Sequence, residues 1–328
     1  MTMLIVFHGE NAGSFSQGFS DLLALGADVV TLPDALSSEA DRETYAAADV
    51  IVGTRYDATL PRPSALSLFH VPGAGYDAVD LSALPASAVV CNCFGHEQAI
   101  AEYVMAALLA RHVPLTDADQ RLRAGDWKYW AGALDRTHEE LAGKTIGLLG
   151  FGHIGKAIAA RAKAFEMTVH VANRSSVAPS ALVDRSFTLD NLDGFWGTVD
   201  FIVVSVPLTA ETTGIVGADA FAAMRRSAVV FNVGRGPTID EAALHDALAS
   251  KRIAGAVIDT WYRYPKPGET DVQPSRLPFN DLPNVVMTPH MSGWTNGTIS
   301  RRQRTIAANV ARRAKGEPCV NIVGTGGS

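Results

Sequence analysis

The chain has 328 residues, 47% of them hydrophobic and 19% charged, with a formal net charge of −6. That length exceeds one ordinary core, so two domains are expected. A globular composition without a long basic run argues against a nucleic-acid surface, and no apolar stretch reaches the ~20 residues of a membrane span.

The opening MTMLIVFHGEN has an apolar run too short for a signal peptide and lacks a basic leader, so it reads as a first buried strand. Further β-branched runs place strands near 28–31, 49–53, 66–71 and 88–92, the first spanning 3–7. Helices fall between most of them, for example SFSQGFSDLLAL at 14–25. Such alternation implies a parallel sheet covered on both faces. Cys91 and Cys93 lie at the end of this series, and Cys319 lies near the other terminus. A structural zinc site needs four ligands, so three cysteines without matching spacing indicate packed free thiols in a reducing, cytoplasmic compartment and no metal.

A long apolar helix, AIAEYVMAALLARHV, follows at 99–113, and a polar, Trp-rich stretch runs on to Gly143. A second alternating series has strands near 145–149, 168–172, 200–205, 228–232, 254–258 and 285–288. Six strands complete a Rossmann sheet. One more helix, about 297–315, has no strand partner in this series and is expected to pack back on the first domain. The closing GTGGS reads as a mobile tail or a cloning remnant. The expected layout is an α/β protein of two domains. A Rossmann domain (101–293) is inserted in a flavodoxin-like parallel-sheet domain (1–100 plus 294–328), with long helices at both crossings as a hinge.

Chemistry concentrates at strand ends in the second series. Gly150, Gly152 and Gly155 of GFGHIG directly follow the apolar strand TIGLL and open a helix with Ile154, Ile158 and Ala162 on one face. The first glycine permits a tight turn, the second a close approach to a pyrophosphate, and the third close packing of helix on strand. Backbone N–H groups at the helix start bind the anion. The next strand ends VHVANRSS rather than in the Asp or Glu that accepts both ribose hydroxyls. Asn173 removes a charge that would repel a 2′-phosphate, Arg174 supplies a planar cation, and Ser175 and Ser176 add donors. The stretch therefore reads as a pocket for NADP(H) that still admits NAD(H), although Arg174 could instead stack on adenine.

Two further strand ends carry Arg235, in NVGRGPTIDEAAL, and His290, in TPHMSG. Ligands bind at the carboxyl ends of strands in open α/β sheets. An arginine there can clamp a carboxylate bidentately, and a histidine can move a proton near neutral pH. Either residue could equally be structural.

Taken in order and spacing over nearly the whole chain, VPGAGYDAVD (71–80), AIAEYVMAALLA (99–110), LAGKTIGLLGFGHIG (141–155), VPLTAETTGIVG (206–217), NVGRGPTIDEAAL, AGAVIDTW (254–261) and TPHMSG resemble the D-isomer-specific 2-hydroxyacid dehydrogenases. The resemblance implies hydride transfer to a small 2-oxo acid, giving the 2-hydroxy acid, by a homodimer; composition and charge already argue against a nucleic-acid or membrane partner. It implies that Arg235 binds the substrate carboxylate and that His290 is the acid/base. Gly73, Ala74, Gly75 and His96 would meet the substrate. Asp259 would hold the nicotinamide side of the cofactor. His153, Ile154, Val206, Pro207, Val233, Gly234 and Gly293 would line the cofactor. Asn173–Arg174 resembles the NADP-using glyoxylate/hydroxypyruvate reductases of that family.

One departure stands out. The family usually places Glu five residues after the equivalent of Asp259, and here DTWYRYP puts Tyr264 there. Tyr264 could therefore partner His290 as a neutral group. Glu269 or Asp271 could fold back in place of the missing acid, or Tyr264 could line the substrate pocket. Trp261, Tyr262 and Trp294 could share that lining or be packing. Two other readings use the same fold. A formate- or phosphite-type dehydrogenase would carry Asn near His96 or Lys near Ala74, and a corepressor-like module would bind dinucleotide without turnover.

Overall fold

The computed structural model describes residues 2–23, 26–266 and 268–327. The chain divides into two compact units, Met1–Gly95 with Thr295–Ser328, and His96–Trp294. In chain order the first unit contains β1 (Met3–His8), α1 (Glu10–Gly13), β2 (Ala27–Leu32), α2 (Glu39–Ala46), β3 (Val50–Gly53), β4 (Leu68–His70) and β5 (Val89–Cys91). The second contains α3 (Glu97–His112), α4 (Leu115–Arg123), β6 (Thr145–Leu149), α5 (His153–Ala164), β7 (Thr168–Asn173), β8 (Arg185–Thr188), β9 (Phe201–Val204), α6 (Ala218–Ala223), β10 (Val229–Asn232), α7 (Glu241–Ala249), β11 (Gly255–Ile258) and β12 (Val285–Met287). The chain then returns to the first unit with α8 (Asn296–Ala314) and β13 (Ile322–Thr325).

The first unit's sheet has the order β13-β5-β4-β3-β1-β2, parallel except for β13. Its five parallel strands follow the flavodoxin-like order 2-1-3-4-5. Alternate residues feed two cores, with Ile5, Phe7, Val50 and Val52 on one side and Val6, Ile51, Phe69 and Val90 on the other. Helix α8 adds Ile306, Ala307 and Val310 to the first of these. Buried Asn309 fastens it further, donating to His70 Nε2 at 3.1 Å and to Val320 O at 3.0 Å while accepting from Val320 N–H at 2.9 Å. His70 is wholly enclosed, and burial pushes its pKa down to about 4. Cys91, Cys93 and Cys319 are buried in the same core, and burial pushes the Cys91 and Cys93 thiols up to about 12.

Two sequence expectations fail in this unit. Residues 14–23 do not form one helix. After the short α1 the chain turns through Gly18 in the left-handed region (φ 69) and makes only a 3-10 turn at Ser20–Leu22. Phe15 and Phe19 are buried all the same, so the apolar spacing that suggested a helix serves a packed loop. Residues 24 and 25 of that expected helix lie outside the described residues. The C-terminal segment is not a mobile tail as far as Gly327. β13 pairs antiparallel with β5, Gly326 N–H donates to Ala88 O and Gly327 N–H to Leu81 O, both at 2.9 Å. A Cβ on Gly326 would sit 1.9 Å from Pro85 O, so only glycine fits that approach.

The second unit's sheet is parallel throughout, in the order β12-β11-β10-β9-β6-β7-β8. This is the dinucleotide-binding order 3-2-1-4-5-6 with one strand added beyond its last. Sequence reading anticipated every strand here except β8, whose RSFT is mostly polar and has no fully buried residue. Strands β9, β10 and β11 again alternate between two cores. Ile202, Val204, Val230 and Ile258 face one, and Val203, Val229, Phe231 and Val257 face the other. Helix α3 buries Ile100, Ala101, Val104 and Leu108 in the second core, so the division falls at 95/96 and 294/295 rather than at 100/101 and 293/294. Among the described residues no helix is long and apolar enough to cross a membrane.

Candidate active site

The strand order reverses between β6 and β9, and the glycine loop sits at that point. Register pairs Leu149 with Ala172, and Gly150 N–H donates to Ala172 O at 2.8 Å, which brings the loop against the end of β7. Gly150 adopts φ 104, a conformation that L side chains rarely enter. A Cβ on Gly155 would lie 2.3 Å from Gly150 O, so this glycine permits the helix to meet the turn. A Cβ on Gly152 would meet nothing within 4 Å. Gly152 caps α5 without a side-chain bond, and His153 is exposed while Ile154 is half-buried in the first turn. An open face at the middle glycine and an uncapped helix start suit a pyrophosphate. Val206 and Pro207 follow β9, and Val233 and Gly234 follow β10, on the same edge of the sheet.

Asn173 closes β7. Its Oδ1 accepts from Phe151 N–H and its Nδ2 donates to Ser175 O, both at 3.3 Å. The carboxamide thus ties the glycine loop to the strand end, a bond that residue type alone did not reveal. Arg174, Ser175 and Ser176 are exposed beside it. The donor set contains a cation and hydroxyls and suits a phosphorylated ribose.

Arg235, Tyr264 and His290 come together at the ends of β10, β11 and β12. Arg235 is extended (φ −141), and its carbonyl accepts from Asn232 Nδ2 at 3.1 Å and Thr238 Oγ1 at 2.6 Å. A Cβ on Gly236 would lie 2.2 Å from Trp261 O, which explains the glycine after it. His290 holds the left-handed conformation (φ 58), uncommon for a residue with a side chain. Asp259 stabilises that turn. It is fully buried, and its Oδ1 accepts from Thr288 Oγ1 at 2.6 Å and Met291 N–H at 2.9 Å, its Oδ2 from Ser292 N–H at 3.0 Å. Thr288 Oγ1 has spent its proton on Asp259, so it accepts from Tyr103 Oη at 2.7 Å. Trp261 Nε1 donates to Thr288 O at 2.8 Å. Asp259 thus holds the turn that carries His290.

Tyr264 Oη lies 2.9 Å from His290 Nδ1 and accepts Trp261 N–H at 3.0 Å. Burial raises the Tyr264 pKa above the ordinary phenol value. His290 and Tyr264 both reach the surface, yet desolvation by the protein around the ring holds His290 below the ordinary imidazole value, Asp259 opposing this and Arg235 adding to it. Glu269 is exposed and bonds within its own loop, with Oε2 accepting Lys266 N–H at 3.1 Å.

The remaining expected residues fall in two places. His96, the N-cap of α3, backs onto Gly293, where a Cβ would lie 3.3 Å from His96 Cβ. Gly73, Ala74 and Gly75 form a half-buried turn in the first unit, fixed by Cys93 N–H to Gly73 O at 3.0 Å and Asn92 Nδ2 to Ala74 O at 2.7 Å. Trp261 is buried and Tyr262 half-buried, its hydroxyl on Ile239 O, so both pack and brace, whereas Trp294 is 45% exposed. Tyr103, Thr288, Asn232 and Asn92 were not singled out from sequence. They are ordinary polar residues on core elements, and only the fold shows what they hold.

Comparison with known proteins gives consistent findings. The profile described as D-isomer specific 2-hydroxyacid dehydrogenase, NAD binding domain, matches residues 105–292. A glyoxylate/hydroxypyruvate reductase B of Pectobacterium atrosepticum is 33% identical over 272 residues, covering 80% of each chain. A D-3-phosphoglycerate dehydrogenase of Archaeoglobus fulgidus is 32% identical over 262 residues, 79% of this chain, which spans about half (47%) of that longer relative. The crystal structure of a D-isomer specific 2-hydroxyacid dehydrogenase family protein from Aeromonas salmonicida subsp. salmonicida superposes with a TM-score of 0.79 at 25% identity, covering 98% of this chain and 99% of the other.

Proposed function

The chain belongs to the D-isomer specific 2-hydroxyacid dehydrogenase family of NAD(P)-dependent oxidoreductases, and from that premise we propose that it reduces a small 2-oxo acid to the D-2-hydroxy acid, with NADPH preferred over NADH. The observation that carries this reading is the convergence of Arg235, Tyr264 and His290 on the edge of the sheet where β6 ends in the glycine loop. A reduced nicotinamide dinucleotide, when bound, supplies hydride. Arg235 clamps the substrate carboxylate through its planar fork and polarises the keto group. His290 gives its proton to the forming alkoxide, and Asp259 keeps the turn that carries it in place. Asn173, Arg174 and Ser175 receive the 2′-phosphate, a reading supported by the absence of an acid at the end of β7. Relatives named glyoxylate/hydroxypyruvate reductase B favour glyoxylate and hydroxypyruvate as first substrates to try. Three free cysteines support a reducing, cytoplasmic setting. A homodimer is supported by Leu115, Leu122, Trp127, Trp130 and Leu134, all exposed within one short stretch of the second unit.

The test is turnover of a 2-oxo acid panel with NADPH, with formate and phosphite assayed in parallel against NADP+ as hydride acceptor, and chiral separation of the 2-hydroxy acid products. D-2-hydroxy acid is expected. Arg235→Lys should lose turnover and keep dinucleotide binding, because an ammonium cannot reproduce the bidentate fork. Dinucleotide binding without turnover of any substrate would leave a binding module instead.

A further inference from the structure

The hydroxyl of Tyr264 stands between two nitrogens, 3.0 Å from the Trp261 amide and 2.9 Å from His290 Nδ1. A peptide N–H only donates, so the phenol oxygen accepts on that side. The phenol has a single proton, and burial keeps it there by raising the pKa. If Nδ1 also carried a proton, the oxygen would have to accept twice and turn its own hydrogen aside. With Nδ1 bare, the hydroxyl takes one hydrogen bond in and gives one out. A carboxylate in the same place could only accept, and would demand a proton on Nδ1.

We propose that Tyr264 is a positioning residue that holds neutral His290 as its Nε2–H tautomer, so that the enzyme reaches full competence in the reducing direction at low pH and in the oxidising direction at no pH. This rests on the reading of His290 as the proton donor. In reduction the keto carbon takes hydride, its C=O π pair moves to oxygen, and that oxygen takes the Nε2 proton of imidazolium. The electron pair stays on Nε2 and the remaining proton on Nδ1. Below the pKa of His290 all molecules hold the donor form. Oxidation runs the same step backwards and needs neutral His290 with a bare Nε2 and a proton on Nδ1. Tyr264 disfavours that tautomer at every pH, because its hydroxyl must first swing away. The other charged groups acting on the ring are Asp259, which favours imidazolium, and Arg235, which opposes it. Neither dictates which nitrogen of the neutral ring carries the proton, whereas the Tyr264 contact is made at Nδ1 itself. Glu269 is occupied with Lys266 N–H.

Nitrogen-15 NMR of histidine-labelled protein, with His290→Gln to assign the signals, reads the tautomer without any substrate. At about pH 8, above the reference imidazole pKa, Nε2 should show the shift of a protonated ring nitrogen and Nδ1 that of a bare one. Tyr264→Glu should exchange the two, and Tyr264→Phe should give a mixture. The Phe variant should also raise the high-pH plateau of 2-hydroxy acid oxidation about two- to tenfold relative to the low-pH plateau of reduction, the span of one neutral hydrogen bond. A proton on Nδ1 in the wild type, or an unchanged ratio of plateaus in a folded Tyr264→Phe protein, overturns the proposal. An Nε2–H signal in a protein that turns over no 2-oxo acid upholds the tautomer and overturns the functional reading together with the directional bias.

Discussion

Arg174 stands exposed past the end of β7, while Asn173 behind it spends its carboxamide on Phe151 N–H and Ser175 O. The two residues thus do different things. One presents charge and the other fixes the loop. A charge-assisted bond to phosphate is worth roughly 1.5–3 kcal/mol, so Arg174→Ala should cut the preference for NADPH over NADH by about ten- to a hundredfold. Steady-state kinetics with each cofactor measures this, and equal losses with both would mean that Arg174 only stacks on adenine. Asn173→Asp should weaken NADPH by repulsion and also set a carboxylate against the Ser175 carbonyl, so some loss with NADH is expected as well. At His290 the pKa is held below the reference of about 6.5, chiefly by burial. Reduction needs the protonated ring, so its rate should be greatest in acid and fall as pH rises through that lowered value. Tyr264→Glu should move the falling limb upward. A wild-type rate that stays flat to about pH 8.5, two units above the reference, would contradict a neutral partner for His290.

Among the elements, α8 and β4 are joined by a buried pair whose energetics depend on pH. His70 is enclosed with its pKa pushed down to about 4, while an unfolded chain titrates near 6.5. The neutral ring is the folded form, so its contribution is complete above pH 6.5 and disappears as pH falls toward 4. That is about 3 kcal/mol at roughly 1.4 kcal/mol per pH unit. Thermal unfolding followed from pH 7 to 4.5 should show this slope, and His70→Gln should flatten it. A wild-type melting temperature independent of pH over that window would contradict the linkage. Apolar runs such as TIGLL and FIVV are buried on both faces, which is why nearly every parallel strand could be read from sequence. RSFT of β8 and IVGT of β13 match FIVV in length, but no residue of either is fully buried, so pairing with a neighbour rather than core burial makes them strands. Strand ends pointed to Gly150, Arg235 and His290 because open parallel sheets bind ligands there. The bracing of His290 by Asp259, Thr288 and Tyr103 could not be read, since it joins residues that are distant in sequence through hydrogen bonds with no spacing signature.

For the whole molecule, Leu134 is 93% exposed and Trp127 and Trp130 more than half exposed, in one stretch of the second unit. Solvent rarely faces so much apolar surface in a lone chain. If this stretch forms the proposed homodimer interface, Trp127→Ala combined with Leu134→Ser should convert a dimer to monomer in light scattering, and a mass that these changes leave unaltered would contradict an interface here. The chain's −6 net charge and its lack of a long basic run fit a protein that handles small anions in a local cationic pocket rather than over a broad surface. For the proposed NADPH-dependent 2-oxo acid reductase the decisive quantity is kcat/KM for NADPH and for NADH at a saturating 2-oxo acid such as hydroxypyruvate or glyoxylate. Turnover is expected with both, with a value for NADPH at least about tenfold higher, one charge-assisted bond in favour of the phosphate. Turnover with NADH alone, or none across the 2-oxo acid panel with either cofactor, would contradict it.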